Sequence, residues 1–142
     1  MKRGLLFVMV FLVFGMPVCA QDSYRIEVLQ VSKINPFDWA YEGFVEELER
    51  NGIVQGQNLV INRRIIDADA DAGLWKKVGI LMKIKGAVSD IIASKPDLVL
   101  TISSPATKYS KDKFISAGIP VVFTGVAVPQ AIGCASVRKA GP

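Results

Sequence analysis

Residues 95–125 read KPDLVLTISSPATKYSKDKFISAGIPVVFTG and contain two buried-strand patterns, each followed by small polar residues. Leu98 to Ile102 is a nearly continuous apolar run, which is typical of a strand in a parallel sheet with helices on both faces. Val121 to Phe123 has the same character. Between the two runs, Pro105 suits the first turn of a helix, and Gly118 suits its end. The stretch therefore predicts a strand, a crossover helix and a second, parallel strand.

The residues before this stretch also predict strands that alternate with helices. Tyr24 to Val31 has the composition of a strand, and the next helix is predicted to start at Asn35, as its N-cap, and to end at Asn51-Gly52. Leu59 to Ile66 predicts a second strand, and its alternation indicates an edge position. A long helix follows, with the predicted apolar face Leu74, Val78, Leu81, Val88, Ile91 and Ile92. The order is β-α-β-α-β-α-β, a Rossmann-like or flavodoxin-like α/β fold with a doubly wound, mainly parallel sheet.

The first 20 residues have the parts of a secretory signal peptide. Two basic residues precede the apolar run Leu5 to Phe14, and Val18-Cys19-Ala20 offers a small-residue cleavage site. We expect residues 1–20 to be removed and residues 21–142 to form one exported lobe, periplasmic or secreted, without stable membrane insertion. Lipid anchoring through Cys19 is the less favoured route, because lipoprotein signals have a small residue where Val18 stands.

Composition and motifs exclude several classes of function. Of 17 basic residues two lie in the leader, so 15 remain against 13 acidic residues, and the lysines have no interleaved aromatics to favour nucleic acid. The absence of histidine excludes a Ser-His-Asp triad. Asp67, Asp69 and Asp71 imitate a calcium loop, but Ala72 stands where that loop needs glycine. No nucleotide-binding motif occurs, so the sequence predicts no cofactor, no metal and no enzymatic activity.

Small polar residues follow the last two predicted strands. Ligands of parallel sheets bind outside the carboxyl ends of the strands, which is where Ser103, Ser104, Gly125 and Val126 fall. Ser103 or Ser104 also suits the helix N-cap. A helix N-terminus presents free N–H groups, so this turn, with the Thr107 hydroxyl, is suited to hold a carboxylate.

The loop after the first strand is expected at the same edge. Ser32 lies in it, and Phe37 and Trp39 follow closely enough for an aromatic ring to stack on a ligand. Trp39 is better explained as a core residue at this spacing, and Ser32 is the favoured candidate of the three. The predicted ligand-binding residues are Ser32, Ser103, Ser104, Thr107, Gly125 and Val126.

Four segments together resemble the first lobe of the secreted substrate-binding proteins of ABC importers. They are RIEVLQV (25–31), YEGFVEELERNGIVQGQNLVI (41–61), KPDLVLTISSPAT (95–107) and IPVVFTGVAVPQAIG (119–133). The resemblance is to the type I periplasmic-binding fold, in the branch associated with aromatic amino acids and related small solutes. It implies a lobe that binds a small-molecule solute, such as an amino acid, and works with ABC permease subunits in the membrane.

Two features depart from that family. Val128-Pro129 stands where members commonly have an Asp-Pro pair, and members resemble a two-lobed clamp of about twice this length. The second lobe is therefore expected to be absent through truncation. Three alternatives stay open: the ligand-binding domain of a sensory receptor, an inactive truncated fragment, and a secreted hydrolase that uses Ser104 and Lys108.

Overall fold

In the part of the chain that the structure describes, four segments form strands, and all of them pair in parallel. They are β1 (Tyr24–Val31), β2 (Leu59–Ile66), β3 (Leu98–Ile102) and β4 (Val121–Thr124). They make one sheet in the order β2-β1-β3-β4, which is the flavodoxin-like order of a doubly wound fold. The computed structural model describes residues 23–68 and 73–133. The predicted signal peptide, with Cys19, lies outside the described residues.

Three helices connect the strands and cover both faces of the sheet. They are α1 (Asn35–Arg50), α2 (Leu74–Ser94) and α3 (Ser104–Ser116), and a short 3-10 turn (Pro129–Ile132) follows β4. This sequence of elements confirms the predicted β-α-β-α-β-α-β order and the parallel pairing of β3 with β4. The edge position predicted for β2 is also confirmed.

The sheet separates two apolar cores because side chains of a strand point alternately to its two faces. Ile26 and Val28 of β1 point toward α1, together with strand residues such as Leu100. Leu29 and Val31 point toward α2 and α3. The second core is the more completely buried one, and its fully buried helical residues are Ile84, Val88, Ile91, Ala106 and Phe114. The core under α1 is thinner, since no residue of that helix is fully buried.

The start of α1 differs from the sequence-based expectation. The N-cap position is Ile34, which provides no side-chain cap, and Asn35 is already helical, so the predicted asparagine cap was wrong by one residue. Trp39 is 65% exposed, so its prediction as a core residue was also wrong. Phe37 and Tyr41 carry the inward face instead, because they lie one helical turn apart and pack on the core.

The beginning of α2 also departs from its predicted apolar face. Val88 and Ile91 are buried as expected, but Leu74 and Val78 are exposed. The inward face of the helix passes through Ile84, which is rotated away from both of them. The first two turns of α2 therefore present apolar side chains to the outside, at the end of the sheet where the strands finish.

Candidate ligand-binding rim

Three strands end in residues with left-handed backbone conformations, and all three residues lie at the carboxyl edge of the sheet. Ser32 follows β1 with φ 75°, Ser103 follows β3 with φ 104°, and Gly125 follows β4 with φ 66°. The Ser103 N–H donates to the carbonyl of Thr124 at 3.0 Å, which joins the last two turns. We call Ser32, Phe37, Ser103, Ser104 and Gly125 the rim.

Ser103 is the N-cap of α3, as the sequence allowed. Its Oγ accepts a hydrogen bond from the Ala106 N–H at 3.3 Å, and the residue is only 2% exposed. Pro105, next in the first turn, has no N–H to satisfy. Among the described residues, the Ser104 N–H is therefore the donor of this first turn that remains available to a ligand.

Ser104 connects the start of α3 to the turn after β4. Its Oγ accepts a hydrogen bond from the Ala127 N–H at 3.2 Å, and the side chain is half-buried at the cavity wall. A hydroxyl that accepts one bond still has its own proton to donate. Ser104 thus offers a hydroxyl and a backbone N–H from the same residue.

Thr107 lies behind the turn rather than at its surface. Its side chain is fully buried, and its Oγ1 donates to the carbonyl of Ser103 at 2.9 Å and lies 2.9 Å from Thr101 Oγ1. A side chain with no exposed surface supports the turn but does not reach a ligand. Thr107 is therefore a supporting residue of the turn.

Gly125 and Phe37 approach each other closely across the rim. A Cβ atom at Gly125 would lie 2.8 Å from Cε1 and 3.1 Å from Cδ1 of the Phe37 ring, so the ring needs glycine there. The position also has a positive φ, which glycine adopts without strain. Val126, the next residue, is half-buried and does not line the cavity.

The rim encloses one side of an open cavity of about 530 Å³. Besides the rim it has two charged side chains, Lys33 after β1 and Asp67 after β2, and the backbone and side chain of Ala127. Sequence reasoning missed Lys33 and Asp67 as site residues because it searched for small residues and aromatics. Their positions directly after strands were the signal that would have found Lys33 and Asp67.

A second, more apolar cavity of about 490 Å³ opens between α2 and α3. It shares Val31, Ser32, Ala68 and Pro105 with the first cavity, so the two are adjacent. The further lining residues include Lys77, Val78, Leu81, Ile84 and Tyr109. A molecule with a charged end and an apolar body fits such a pair of spaces.

The calcium-like segment lies mostly outside the residues that the structure describes. Asp69, Asp71 and Ala72 of the calcium-like segment lie outside the described residues. Among residues 23–68 and 73–133, no helix is both long enough and apolar enough to cross a membrane.

The likeness to known proteins lies in three-dimensional structure. No family model and no curated protein sequence matches the chain. The ligand-free, open structure of CD0873, a substrate-binding protein with adhesive properties from Clostridium difficile, is 27% identical, with a TM-score of 0.61. That alignment covers 78% of this chain and 33% of CD0873. The fold of this chain corresponds to one lobe of that substrate-binding protein.

Two further structures have the same fold as this lobe. The ABC domain from Streptococcus pneumonia in complex with L-Trp is 21% identical, with 78% of this chain and 33% of that one aligned at a TM-score of 0.57. A conserved domain protein from Vibrio cholerae is 23% identical, with 80% and 34% aligned at a TM-score of 0.55. The lobe thus aligns with about a third of the length of each structure.

Proposed function

We propose that this lobe binds a small solute outside the cytoplasm, without catalysis, in the cavity at the carboxyl ends of its strands. The observation that carries the proposal is the meeting of three left-handed strand ends and the N-terminus of α3 around one cavity of about 530 Å³. Such strand ends are where parallel α/β sheets bind ligands. The structural likeness to substrate-binding proteins supports the same role.

The chemistry of the rim favours a zwitterion with an apolar side chain, such as an amino acid. The positive end of the α3 dipole, the Ser104 N–H and hydroxyl, and Lys33 suit a carboxylate. Asp67 suits an ammonium group on the other side of the cavity. The apolar space between α2 and α3 then receives the side chain. L-Trp, bound by the streptococcal neighbour, is the first ligand to test.

The test is a titration of the isotope-labelled lobe with L-Trp, followed by the backbone amide signals in NMR. We expect the signals of Ser32, Ser104 and Gly125 to shift. Ser104→Ala should weaken binding about fivefold to tenfold, since a hydrogen bond to a charged group contributes about 1.5 kcal/mol or less when partly exposed.

Ser116→Ala is the matched control. Ser116 is an exposed serine at the other end of α3, where its hydroxyl donates to the carbonyl of Asp112. This control should bind L-Trp as the wild type does. Shifts confined to residues far from the rim, or equal weakening by both substitutions, would contradict the proposed site.

The biological role that we propose is solute capture for an ABC import system, after export and removal of residues 1–20. The support is the resemblance of the four sequence segments and the fold shared with an ABC domain. Deleting the gene in its source cell should lower uptake of radiolabelled amino acid, and the wild-type gene should restore it. Undiminished uptake, together with loss of a transcriptional or signalling response, would favour the sensory alternative.

A further inference from the structure

A buried glutamine connects the core of the sheet to the rim. Gln30 of β1 is fully buried, and its Nε2 donates to the carbonyl of Ser32 at 2.9 Å. Its Oε1 accepts two hydrogen bonds from Arg63 of β2, from Nε at 3.2 Å and from Nη2 at 2.6 Å. Burying an amide is costly unless it is satisfied, so both ends of Gln30 are held in these positions.

Ser32 is held from three sides in a conformation that is rare for residues with a side chain. Its N–H donates to the carbonyl of Ile66 at 2.9 Å, and its Oγ donates to the carbonyl of Ala68 at 3.0 Å. The bond from Gln30 takes its carbonyl. A φ of 75° is unfavourable for serine, so these bonds offset the strain and determine the direction of the turn after β1.

Arg63 extends the connection to the first turn of α1. Its guanidinium forms an ion pair with Asp38 and lies over the Tyr41 ring, 4.1 Å from the ring centre. Asp38 follows Phe37, the aromatic residue of the rim that faces Gly125. The chain of contacts from Asp38 through Arg63 and Gln30 to Ser32 thus begins beside one rim residue and ends at another.

We infer that Gln30 is a positioning residue for the rim, held in place by Arg63, and that together they keep the Ser32 turn in its binding geometry before a ligand arrives. The inference rests on the proposed function for its consequence in affinity. Its structural part does not depend on any ligand. Preorganisation of this kind lowers the conformational cost of binding.

Gln30→Glu is the decisive substitution because it keeps the shape of the side chain, removes the N–H that donates to the Ser32 carbonyl and places a carboxylate oxygen against that carbonyl. A carboxylate still pairs with Arg63, but it has no N–H to donate to the Ser32 carbonyl. We expect the Ser32 amide hydrogen to exchange about fivefold to tenfold faster, because the turn loses one hydrogen bond. The exchange rate of the Leu29 amide in the sheet should stay the same. Affinity for L-Trp should fall by a similar factor.

Two further variants complete the experiment. Gln57→Glu makes the same charge change at an exposed position and should alter neither exchange nor affinity. Arg63→Lys keeps the positive charge but loses the two bonds to Gln30, so it should reproduce the faster exchange at Ser32 even if Gln30→Glu fails to fold.

The possible results separate the two proposals. Unchanged exchange at Ser32 in a folded Gln30→Glu or Arg63→Lys variant would overturn the inference. Faster exchange with weaker L-Trp binding would support it. If the wild type binds no L-Trp, the proposed ligand has failed, and the exchange rates alone decide whether Gln30 positions the turn.

Discussion

At the residue scale, Ser103 combines a helix cap with a backbone conformation that normally belongs to glycine. Its φ of 104° and ψ of 156° lie in a region that residues with a Cβ rarely adopt. The cap to Ala106 and the two bonds that Thr107 makes to the Ser103 carbonyl hold it there. Such strained residues concentrate at ligand-binding sites, which agrees with the position of Ser103 in the lining of the cavity.

Two substitutions of Ser103 should separate the stabilisation from its helix cap from the cost of its backbone strain. Ser103→Ala keeps the strain and loses the cap, so we expect the free energy of unfolding to fall by about 1 kcal/mol. Ser103→Gly relieves the strain, worth about 1–3 kcal/mol, and glycine replaces a cap at a cost of only a few tenths of a kcal/mol. Glycine also increases the entropy of the unfolded state, which costs about 0.4–1 kcal/mol of stability. Since the relieved strain offsets these costs, the glycine variant should be at least as stable as the wild type. Urea unfolding of both variants tests this, and a glycine variant less stable than the alanine variant would contradict it.

Gly125 should tolerate a side chain less well than another glycine of similar conformation. Gly118 has a φ of 75°, and a Cβ atom added there would have nothing within 4 Å, so Gly118→Ala measures the backbone cost alone, about 1–2 kcal/mol. Gly125→Ala adds the collision with Phe37 and should cost about 1 kcal/mol more. Urea unfolding gives both values. Equal losses would mean that the Phe37 ring moves aside freely.

At the scale of elements, α3 does more for the stability of the lobe than its weak amphipathic pattern suggests. It packs on α2 through Phe114, which is fully buried, and its first turn carries the cap and the rim serines. The helix α1 has a cleaner amphipathic pattern, yet it buries no residue completely. The difference arises because α2 and α3 share one face of the sheet and cover each other, whereas α1 packs alone on the other face in the described part of the chain.

Truncation of the buried residue of α3 should therefore be severe. We expect Phe114→Ala to lower the free energy of unfolding by about 3–5 kcal/mol, which is a large part of the total for a small domain. Ile115→Ala, at the exposed neighbouring position, should change it by less than about 0.5 kcal/mol. Circular dichroism during urea unfolding measures both. A small effect of Phe114→Ala would show that α3 is not part of the cooperative core.

At the scale of the whole molecule, the rim forms one wall of an open cavity, which is the ligand site that we propose. Because the cavity is open, the described residues would leave part of a bound ligand uncovered. The neighbouring apolar residues at the start of α2, Leu74 and Val78, are exposed at the same end of the sheet. Affinity depends on how much ligand surface is buried and how well its polar groups are paired, and an open cavity limits both.

Residues 21–142, prepared without the predicted leader, should therefore bind amino acids weakly. We expect a dissociation constant for L-Trp of about 1 mM, equivalent to about 4 kcal/mol of binding free energy. Isothermal titration calorimetry gives the value directly, with Ser116→Ala as the unaffected control. A micromolar or tighter constant would show that the single wall is a complete site.

Much of the fold follows from local patterns, and the exceptions have physical causes. The runs Leu98–Ile102 and Leu59–Ile66 have the same bounds in the structure as in the prediction. The reason is that the apolar pattern of a strand is visible in the strand's own sequence. Trp39 was misplaced because helical spacing does not show which side of α1 meets the sheet. Thr107 was proposed as a ligand contact because the sequence places it in the first turn of α3. The sequence does not show the hydrogen bonds with Ser103 and Thr101 that hold its side chain inward.

The sequence by itself determined the alternation of elements, the parallel sheet and the edge at which a ligand would bind, since these depend on periodicity, turn residues and the handedness of crossovers. Only the tertiary structure decided which rim residues face the cavity. It brought Lys33, Asp67 and Phe37 beside Ser104, and it connected Arg63 to Ser32 through Gln30. Those relations join residues far apart in the chain, and they exist only once the strands have paired in register and both faces of the sheet are covered.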